Sequence, residues 1–206
     1  SSHTWQAWTD RLVDDYRVIR LDLPGHGLTR APEGYLPTIE GYAAVVEALA
    51  ERVGLDRFVI AGSSMGGNVA WVYAETYPER LDGLVLVASS GWPSPEETAG
   101  EDNSPAIFGL LRTPIIGNAL LSLDSTALTR QGLQASFFDP AFATDAMVTR
   151  YVSLARAPGH RQILFQIIND FANRPMASPV RMAAITLPVL VMQGDSDNLV
   201  SPEGGR

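Results

Sequence analysis

The chain of 206 residues contains no cysteine. Disulfide bonds, a thiolate nucleophile and zinc sites with cysteine ligands are therefore all excluded. Charged residues are also scarce, at 18% of the chain, and acidic residues outnumber basic ones to give a formal net charge of −8. Phosphate backbones and anionic lipid surfaces repel such a chain, so we expect no nucleic acid and no membrane surface among its partners.

Long apolar runs are missing as well. The longest, Leu84 to Ala88, is far shorter than the about 20 residues that a membrane-spanning helix needs, so we expect no membrane span. No signal peptide is visible, and we expect a cytoplasmic protein. The chain starts at Ser1 without an initiator methionine and stops abruptly at Arg206, which is typical of a fragment cut at both ends. Its oligomeric state has no signature in the sequence.

Hydrophobic residues make up 46% of the chain, which is ample for a large core. Short β-rich runs predict strands, and apolar residues at helical spacing predict helices between them. The strands are expected at Arg17–Leu23, Phe58–Ala61, Gly83–Ala88 and Pro188–Gln193. The last three look buried, and Phe58–Ala61 is expected to be buried on both faces. Helices are expected at about Thr4–Asp14, from an N-cap at Thr38 to a stop at Gly54, and at about Met65–Thr76. This order predicts an α/β fold with a mostly parallel sheet and right-handed crossovers.

One motif carries chemistry: Gly62-Ser63-Ser64-Met65-Gly66 has the form G-x-S-x-G between a strand and a helix. A serine at such a sharp turn holds its hydroxyl above the sheet edge, where a base can reach it, so Ser64 is the predicted nucleophile. Gly62 and Gly66 are expected to be glycines because the turn leaves no room for a Cβ atom. The Met65 N–H at the helix N-terminus can stabilise an oxyanion.

Two plainer interpretations of this turn stay open. A glycine-rich strand-to-helix turn also allows tight packing, or it binds a phosphate at the helix N-terminus. Ser63 is the rival hydroxyl, and its position before the central serine predicts a packing or rim role.

Three further segments resemble the α/β-hydrolase superfamily in its esterase and C–C hydrolase branch. Asp22-Leu-Pro-Gly-His-Gly27 is similar to the family's D-x-P-G-x-G turn after its fourth strand. Tyr77-Pro-Glu-Arg-Leu81 resembles the stretch that leads into the sixth strand, and Leu187 to Asp197 resembles the P-x-L-x-x-x-G-x-x-D segment. The resemblance implies an α/β-hydrolase core over 1–90, an inserted helical cap over 91–187, and a return to the core with the acid loop over 188–206.

The resemblance also assigns a catalytic triad. Asp197 is the implied acid, with Asp195 as its competitor. The family's catalytic histidine would follow Arg206, and its second oxyanion donor would precede Ser1, so we expect these 206 residues alone to be inactive. The histidines present do not fit the triad order: we expect His26 to stabilise its loop, His3 to cap the first helix, and His160 to lie at the surface.

The cap over 91–187 contains many apolar side chains, which predict a mostly apolar pocket over Ser64. For most of them, packing of the cap against the core is the plainer role. They are Ile107, Phe108, Leu110, Leu111, Phe137, Phe138, Phe142, Phe165 and Phe171. Three arginines, Arg150, Arg156 and Arg161, are candidates for holding a substrate carboxylate, although solvated arginines are commoner.

The resulting expectation is a serine hydrolase that cleaves a small or medium apolar carboxylic ester through an acyl-enzyme and uses no metal or cofactor. A C–C bond hydrolase stays open, although those enzymes usually carry asparagine where this chain has Ser63. A cofactor-free haloperoxidase or perhydrolase is a further alternative. Ser64 argues against epoxide hydrolases and haloalkane dehalogenases, which use an aspartate nucleophile. A non-catalytic, hydrolase-like ligand-binding protein is the alternative outside enzymes.

Overall fold

The structure is a computed structural model that describes residues 1–93, 125–170, 173–197 and 199–202. Within those ranges the strands are β1 (Phe58–Ser63), β2 (Leu81–Val87) and β3 (Val189–Met192). The helices there are α1 (Gln6–Leu12), α2 (Ile39–Arg52), α3 (Met65–Thr76), α4 (Thr126–Ala135), α5 (Asp145–Ala155), α6 (His160–Asp170) and α7 (Pro179–Ala183). Short 3₁₀ helices occupy Ser2–Trp5, Pro78–Arg80 and Pro140–Phe142.

The three strands form one parallel sheet in the order β1-β2-β3. Ser63 pairs with Val87, and Val87 pairs with Met192, so the carboxyl ends of the strands are level. Parallel neighbours need a crossover connection, and α3 provides the one between β1 and β2. The predicted α/β architecture with a parallel sheet is therefore confirmed.

Helix α2 begins and ends where the sequence signals place it. The Thr38 side chain accepts a hydrogen bond from the Gly41 N–H at 3.0 Å, which satisfies one of the first free N–H groups of the helix. Glu40 lies in the first turn, and Gly54 follows the last turn at φ +68°. A positive φ at this position favours glycine, because a Cβ atom would be strained there.

Helix α3 is the centre of the core, since every residue from Gly67 to Ala74 is buried. A helix buried all round must be apolar on every side, and α3 packs against β1, β2 and α2. Trp71 and Tyr73 are among its fully buried side chains. Each such side chain contributes on the order of 2 kcal/mol through burial, so α3 is firmly fixed. The residue that follows β1 and precedes α3 is Ser64.

The prediction that these strands are buried is wrong for β1 and also for β3, which is the most exposed strand of the sheet. Val59 is 57% exposed, and all four residues of β3 are exposed. Among the described residues α3 packs on one side of the sheet, with α2 packed against α3, so the apolar side chains on the other side keep their contact with solvent. Apolar composition predicted these strands correctly, but it carries no information about what covers them.

The strand expected at Arg17–Leu23 is also absent, since this segment forms no ladder with any described strand. Strand-forming residues make a strand only when a neighbour supplies backbone hydrogen bonds. Between β2 and β3 the described residues form helices and no strand, whereas the bounds of the predicted cap stay a prediction. None of the helices in the described parts of the chain combines the length and apolar character that a bilayer crossing requires.

Candidate active site

Ser64 lies in a strained backbone conformation at the turn between β1 and α3, with φ 53° and ψ −122°. Residues other than glycine rarely adopt a positive φ, and such a conformation costs about 1–3 kcal/mol. The surrounding backbone holds it in place: the Ser64 N–H donates to the Val87 carbonyl at 3.0 Å, and the Ser64 carbonyl accepts from Gly67 and Ser90 at 2.9 and 3.1 Å. The side chain of Ser64, which this strained backbone holds in place, is exposed to solvent.

The glycines of the turn differ in whether a Cβ atom would fit at their position. A Cβ atom on Gly62 would lie 2.0 Å from the carbonyl oxygen of Gly66 and 2.7 Å from the backbone nitrogen of Gly67, so only glycine fits. The expectation for Gly66 is wrong, because a Cβ atom there meets nothing within 4 Å. The second crowded position is Gly67, where a Cβ atom would lie 2.6 Å from that of Ser89. The close approach therefore involves the backbone of Gly66 and not its side-chain position.

Met65 and Ser63 flank the serine on its two sides. Met65 is the first residue of α3, and the first N–H groups of a helix have no acceptor inside the helix. Its N–H is therefore available beside the Ser64 side chain, as an oxyanion donor must be. Ser63 is the last residue of β1, is half-buried and pairs with Val87. Its place in the ladder agrees with the packing role expected for it, but does not test it.

The carboxylate of Asp197 organises the loop that follows β3. Its Oδ1 accepts hydrogen bonds from the N–H groups of Leu199 and Val200 at 2.8 and 3.0 Å, and its Oδ2 accepts one from Gln193 Nε2 at 3.1 Å. Asp195 is exposed, and its Oδ1 accepts only from the Ser196 hydroxyl among the described residues, at 3.2 Å. Of the two acids, Asp197 is the one that the backbone holds in a fixed orientation.

Register brings the serine and the acid loop to the same edge of the sheet. Ser64 directly follows β1, while Asp197 lies beyond the end of β3, and the carboxyl ends of these strands are level. Among the contacts of the described residues, none joins a histidine ring to Ser64 or to Asp197. The two predicted site residues therefore share an edge, and the base between them is not among the described histidines.

The expectation for His160 is wrong: its ring is buried, at 4% exposure. Nε2 of His160 lies 3.1 Å from the carbonyl oxygen of Gly27, which is remote along the chain. Nearby on the same helix, Ile163 packs onto Gly25 so closely that a Cβ atom on Gly25 would lie 2.4 Å from Ile163 Cγ2. Helix α6 is thus anchored on the turn after residue 23.

That turn is itself organised by Asp22. Its carboxylate accepts hydrogen bonds from the backbone N–H groups of Leu28, at 3.0 Å, and Ser2. Burial raises the pKa of Asp22, but these two hydrogen bonds outweigh it, so the pKa lies below its ordinary value. Gly27, at φ +53°, leaves the space that the carboxylate fills, since a Cβ atom there would lie 2.2 Å from Asp22 Cγ.

The other two histidines have local roles. His26 lies in the turn, with Nδ1 3.3 Å from the Pro24 carbonyl oxygen. Burial lowers the pKa of His26, and the Pro24 carbonyl offsets only part of that effect. This placement agrees with the loop-stabilising role expected for it. The capping role expected for His3 is wrong, because no side-chain hydrogen bond caps the start of α1 or of the 3₁₀ helix before it.

The apolar cap residues are only partly described. Ile107, Phe108, Leu110, Leu111 and Phe171 lie outside the described residues. Phe138 and Phe142 are 86% and 65% exposed, while Phe137 and Phe165 are half-buried. Arg150 and Arg156 are exposed and Arg161 is half-buried. The predicted pocket over Ser64 therefore stays a prediction.

One functional candidate escaped the sequence reasoning. Asn68, within α3, is fully buried, and it lines a small cavity of about 70 Å³ with Met65, Ser90 and Pro175. Neither Ser64 nor Asp197 lines this cavity. The available signal was a polar amide directly before the apolar run from Val69 to Ala74, since a buried polar group needs a partner.

Comparison with known proteins finds matches that extend over the whole chain. A family model described as alpha/beta hydrolase fold matches residues 1–206. The chain is 28% identical over 196 residues to 2-hydroxy-6-oxononadienedioate/2-hydroxy-6-oxononatrienedioate hydrolase 1 of Dechloromonas aromatica (strain RCB), covering 92% of this chain and 63% of that protein. It is 36% identical over 99 residues to a serine hydrolase-like protein of Danio rerio, covering 48% of this chain and 30% of that protein.

Among solved structures, a meta-cleavage product hydrolase matches with a TM-score of 0.82 and 20% identity, covering all of this chain and 72% of that one. This likeness concerns the fold alone. The chain spans less than two thirds of the length of both curated relatives.

Proposed function

The chain belongs to the alpha/beta hydrolase fold family, and from that premise we propose that the complete protein is a serine hydrolase acting on a small or medium apolar carboxylic ester. The observation that carries the proposal is the backbone of Ser64, at φ 53° and ψ −122° with an exposed side chain. Strain of this kind persists only where neighbours enforce it, and it is found where a side chain must be presented for chemistry.

The proposed reaction has two steps. The Ser64 hydroxyl attacks the ester carbonyl while a histidine base takes its proton, and the Met65 N–H donates to the oxyanion. The intermediate then expels the alcohol, which receives the proton, and leaves an acyl group on Ser64. Water activated by the same base hydrolyses this acyl-enzyme to release the acid. Asp197 orients the base and stabilises its charged form.

The apolar character of the substrate rests on the composition of 91–187 and on the charge of the chain. A net charge of −8 does not attract an anionic substrate, whereas it has little effect on a neutral ester. The proposal includes no cofactor, and cytoplasmic placement stays a prediction.

A labelling experiment tests the nucleophile. A fluorophosphonate probe should modify the complete protein covalently at Ser64, and Ser64→Ala should abolish labelling and lower kcat by about 10⁶, as expected when a triad nucleophile is removed. Ser63→Ala is the matched control, since it changes the neighbouring hydroxyl and should still label. Labelling that persists in Ser64→Ala and disappears in Ser63→Ala would show that the wrong serine was chosen.

A C–C bond hydrolase is the second candidate, favoured by the Dechloromonas relative, which is named for a nonadienedioate substrate and matches over 92% of this chain. The two candidates share the serine and differ in the substrate. A chain-length series of p-nitrophenyl esters and 2-hydroxy-6-oxononadienedioate should therefore be compared on the complete protein, the second by loss of its conjugated absorbance. A higher kcat/KM for the dioate would favour the C–C hydrolase. Absence of both labelling and turnover would favour a non-catalytic binding protein.

A further inference from the structure

Asn68 is a fully buried amide whose two polar atoms are unequally satisfied. Its Nδ2 donates a hydrogen bond to the carbonyl oxygen of Pro175 at 3.2 Å. Its Oδ1 is buried without a hydrogen-bond partner among the described residues. Burying an amide oxygen without a donor disfavours folding and offsets part of what the bond to Pro175 contributes. Stability alone does not explain an asparagine at this position.

The start of the segment 91–187 and a later part of it, at 175–177, meet at this side chain. Gly91 lies against it at φ +87°, so closely that a Cβ atom there would be 2.6 Å from Asn68 Nδ2. The Gly91 carbonyl accepts a hydrogen bond from the Ala177 N–H at 2.6 Å. The outgoing stem at Gly91 and the returning stem at 175–177 are therefore joined to each other and packed on Asn68.

The same residue is joined to the nucleophile. The Asn68 N–H donates to the Ser64 carbonyl at 3.2 Å, and that carbonyl also accepts from the Ser90 N–H on the outgoing stem. Asn68 thus belongs to the first turn of the helix that holds Ser64 in its strained conformation. A displacement of either stem would be transmitted to this turn through backbone hydrogen bonds.

We infer that Asn68 is a positioning residue, which fastens the two stems of segment 91–187 to the nucleophile helix and so sets where that segment lies relative to Ser64. The inference rests on the proposed function, in which this segment covers the substrate. Asn68 touches neither the substrate nor the reacting atoms in this scheme. It acts through the Pro175 carbonyl and through the close fit against Gly91.

A second attachment keeps the returning stem on α3 when Asn68 is changed. Arg181 on α7 binds both carboxylate oxygens of Glu75, at 2.6 and 2.9 Å, and its guanidinium lies 4.6 Å from the Trp71 ring centroid. Loss of the Asn68 contact should therefore shift the stem without releasing it. An effect of Asn68 on the position of the stem can therefore be told apart from unfolding of the protein.

Asn68→Leu in the complete protein tests the inference, because leucine has a similar volume and no unsatisfied oxygen. We expect a melting temperature close to that of the wild type, because removing the unsatisfied oxygen offsets the loss of the bond to Pro175. We also expect amide hydrogen exchange at 173–178 to accelerate, and kcat/KM for a long-chain p-nitrophenyl ester to fall about tenfold relative to p-nitrophenyl acetate through a higher KM. Tyr73→Phe is the matched control on the same helix: it removes a part-buried hydrogen bond to Glu47 and should change neither the exchange at 173–178 nor the ester ratio.

Unchanged exchange at 173–178 in Asn68→Leu would overturn the fastening, and faster exchange with an unchanged ester ratio would overturn the positioning role. Asn68→Ala, which removes the amide and adds no atoms, repeats the test in case the leucine disturbs packing. Failure of the proposed function is recognised separately, since the wild type would then neither label at Ser64 nor hydrolyse either ester. The exchange measurement decides on the fastening even in that event.

Discussion

The elbow with the proposed nucleophile and the loop with the proposed acid, called the acid loop below, lie at the same edge of the sheet, yet they are held in opposite ways. In the elbow, residues 62–67, packing and backbone hydrogen bonds enforce a strained turn around Ser64, and no side-chain hydrogen bond caps the helix there. In the acid loop, residues 193–200, the Asp197 carboxylate itself binds the N–H groups of Leu199 and Val200. The elbow holds Ser64 in place through its backbone, whereas the acid loop is held together by the side chain of Asp197 itself.

Because of this difference, a substitution of Ser64 in the elbow tests catalysis alone, whereas one of Asp197 in the acid loop affects both catalysis and the structure of the loop. Removing the Ser64 hydroxyl leaves the packing of the elbow intact, so its effect reports chemistry. Replacing Asp197 changes both a charge and the hydrogen bonds that shape the loop. Strain at the elbow is sustained by a buried core, whereas the acid loop follows β3, whose residues are all exposed.

The largest expected effect in the acid loop comes from Asp197→Asn. Asparagine keeps an oxygen that can accept from Leu199 and Val200, so the loop should persist, but its neutral amide no longer fixes or stabilises the charged base. We expect kcat of the complete protein to fall by about 10⁴. Steady-state hydrolysis of the preferred ester measures this loss.

Asp195→Asn is the matched control for that prediction, because Asp195 is exposed on the same loop. It should lower kcat by less than about tenfold, since a solvated charge near the site has a screened effect. The assignment of the acid would be reversed if Asp195→Asn cost more than Asp197→Asn.

The next effect concerns the stability of the elbow. In Gly62→Ala the new Cβ atom would lie 2.0 and 2.4 Å from backbone atoms of Gly66, which cannot move without distorting the turn. We expect a loss of about 3 kcal/mol or more in the free energy of unfolding. Gly66→Ala, where a Cβ atom meets nothing within 4 Å, should be neutral or more stable by about 0.5–1 kcal/mol.

Urea unfolding of the two glycine variants beside the wild type measures the difference. Equal stability of Gly62→Ala and Gly66→Ala would mean that packing does not hold the turn, and the contrast between the two regions would disappear.

The sequence was informative where the physical cause is local. Helix α3 spans Met65–Thr76 as predicted, since a turn motif precedes it and Pro78 follows. The cap of α2 at Thr38 and its stop at Gly54 likewise depend on neighbouring residues alone. Ser64 and Asp197 reach one edge because parallel strands align their carboxyl ends, which the order of elements already implied.

The sequence failed where the cause lies far along the chain. His160 is buried because it meets the Gly27 carbonyl, 133 residues away. Asn68 donates a hydrogen bond to Pro175, which lies 107 residues further along the chain, and no residue next to either of them indicates this contact. The segment 17–23 has the composition of a strand, but pairing depends on a neighbour that local composition does not reveal.

The smallest expected effect extends the comparison to the turn after residue 23, which is likewise organised by a carboxylate, that of Asp22. Asp22 accepts hydrogen bonds from Leu28 and Ser2, and these lower its pKa from the ordinary value of 3.8. A depressed pKa stabilises the fold above the unfolded-state value, and the stability is lost as pH falls through the lower folded-state pKa. Asp22→Asn should therefore lower the free energy of unfolding at pH 7, by a modest amount because solvent screens a half-buried group. The deficit should shrink below about pH 3.8 as the wild-type carboxyl protonates.

Urea unfolding at pH 7 and below pH 3.8 measures this loss of stability. Asp82→Asn is the control, since Asp82 pairs with Arg57 at the surface and its replacement should change stability little. A deficit that is equal at both pH values would assign the effect to shape, and the carboxylate charge would then not be what holds the turn.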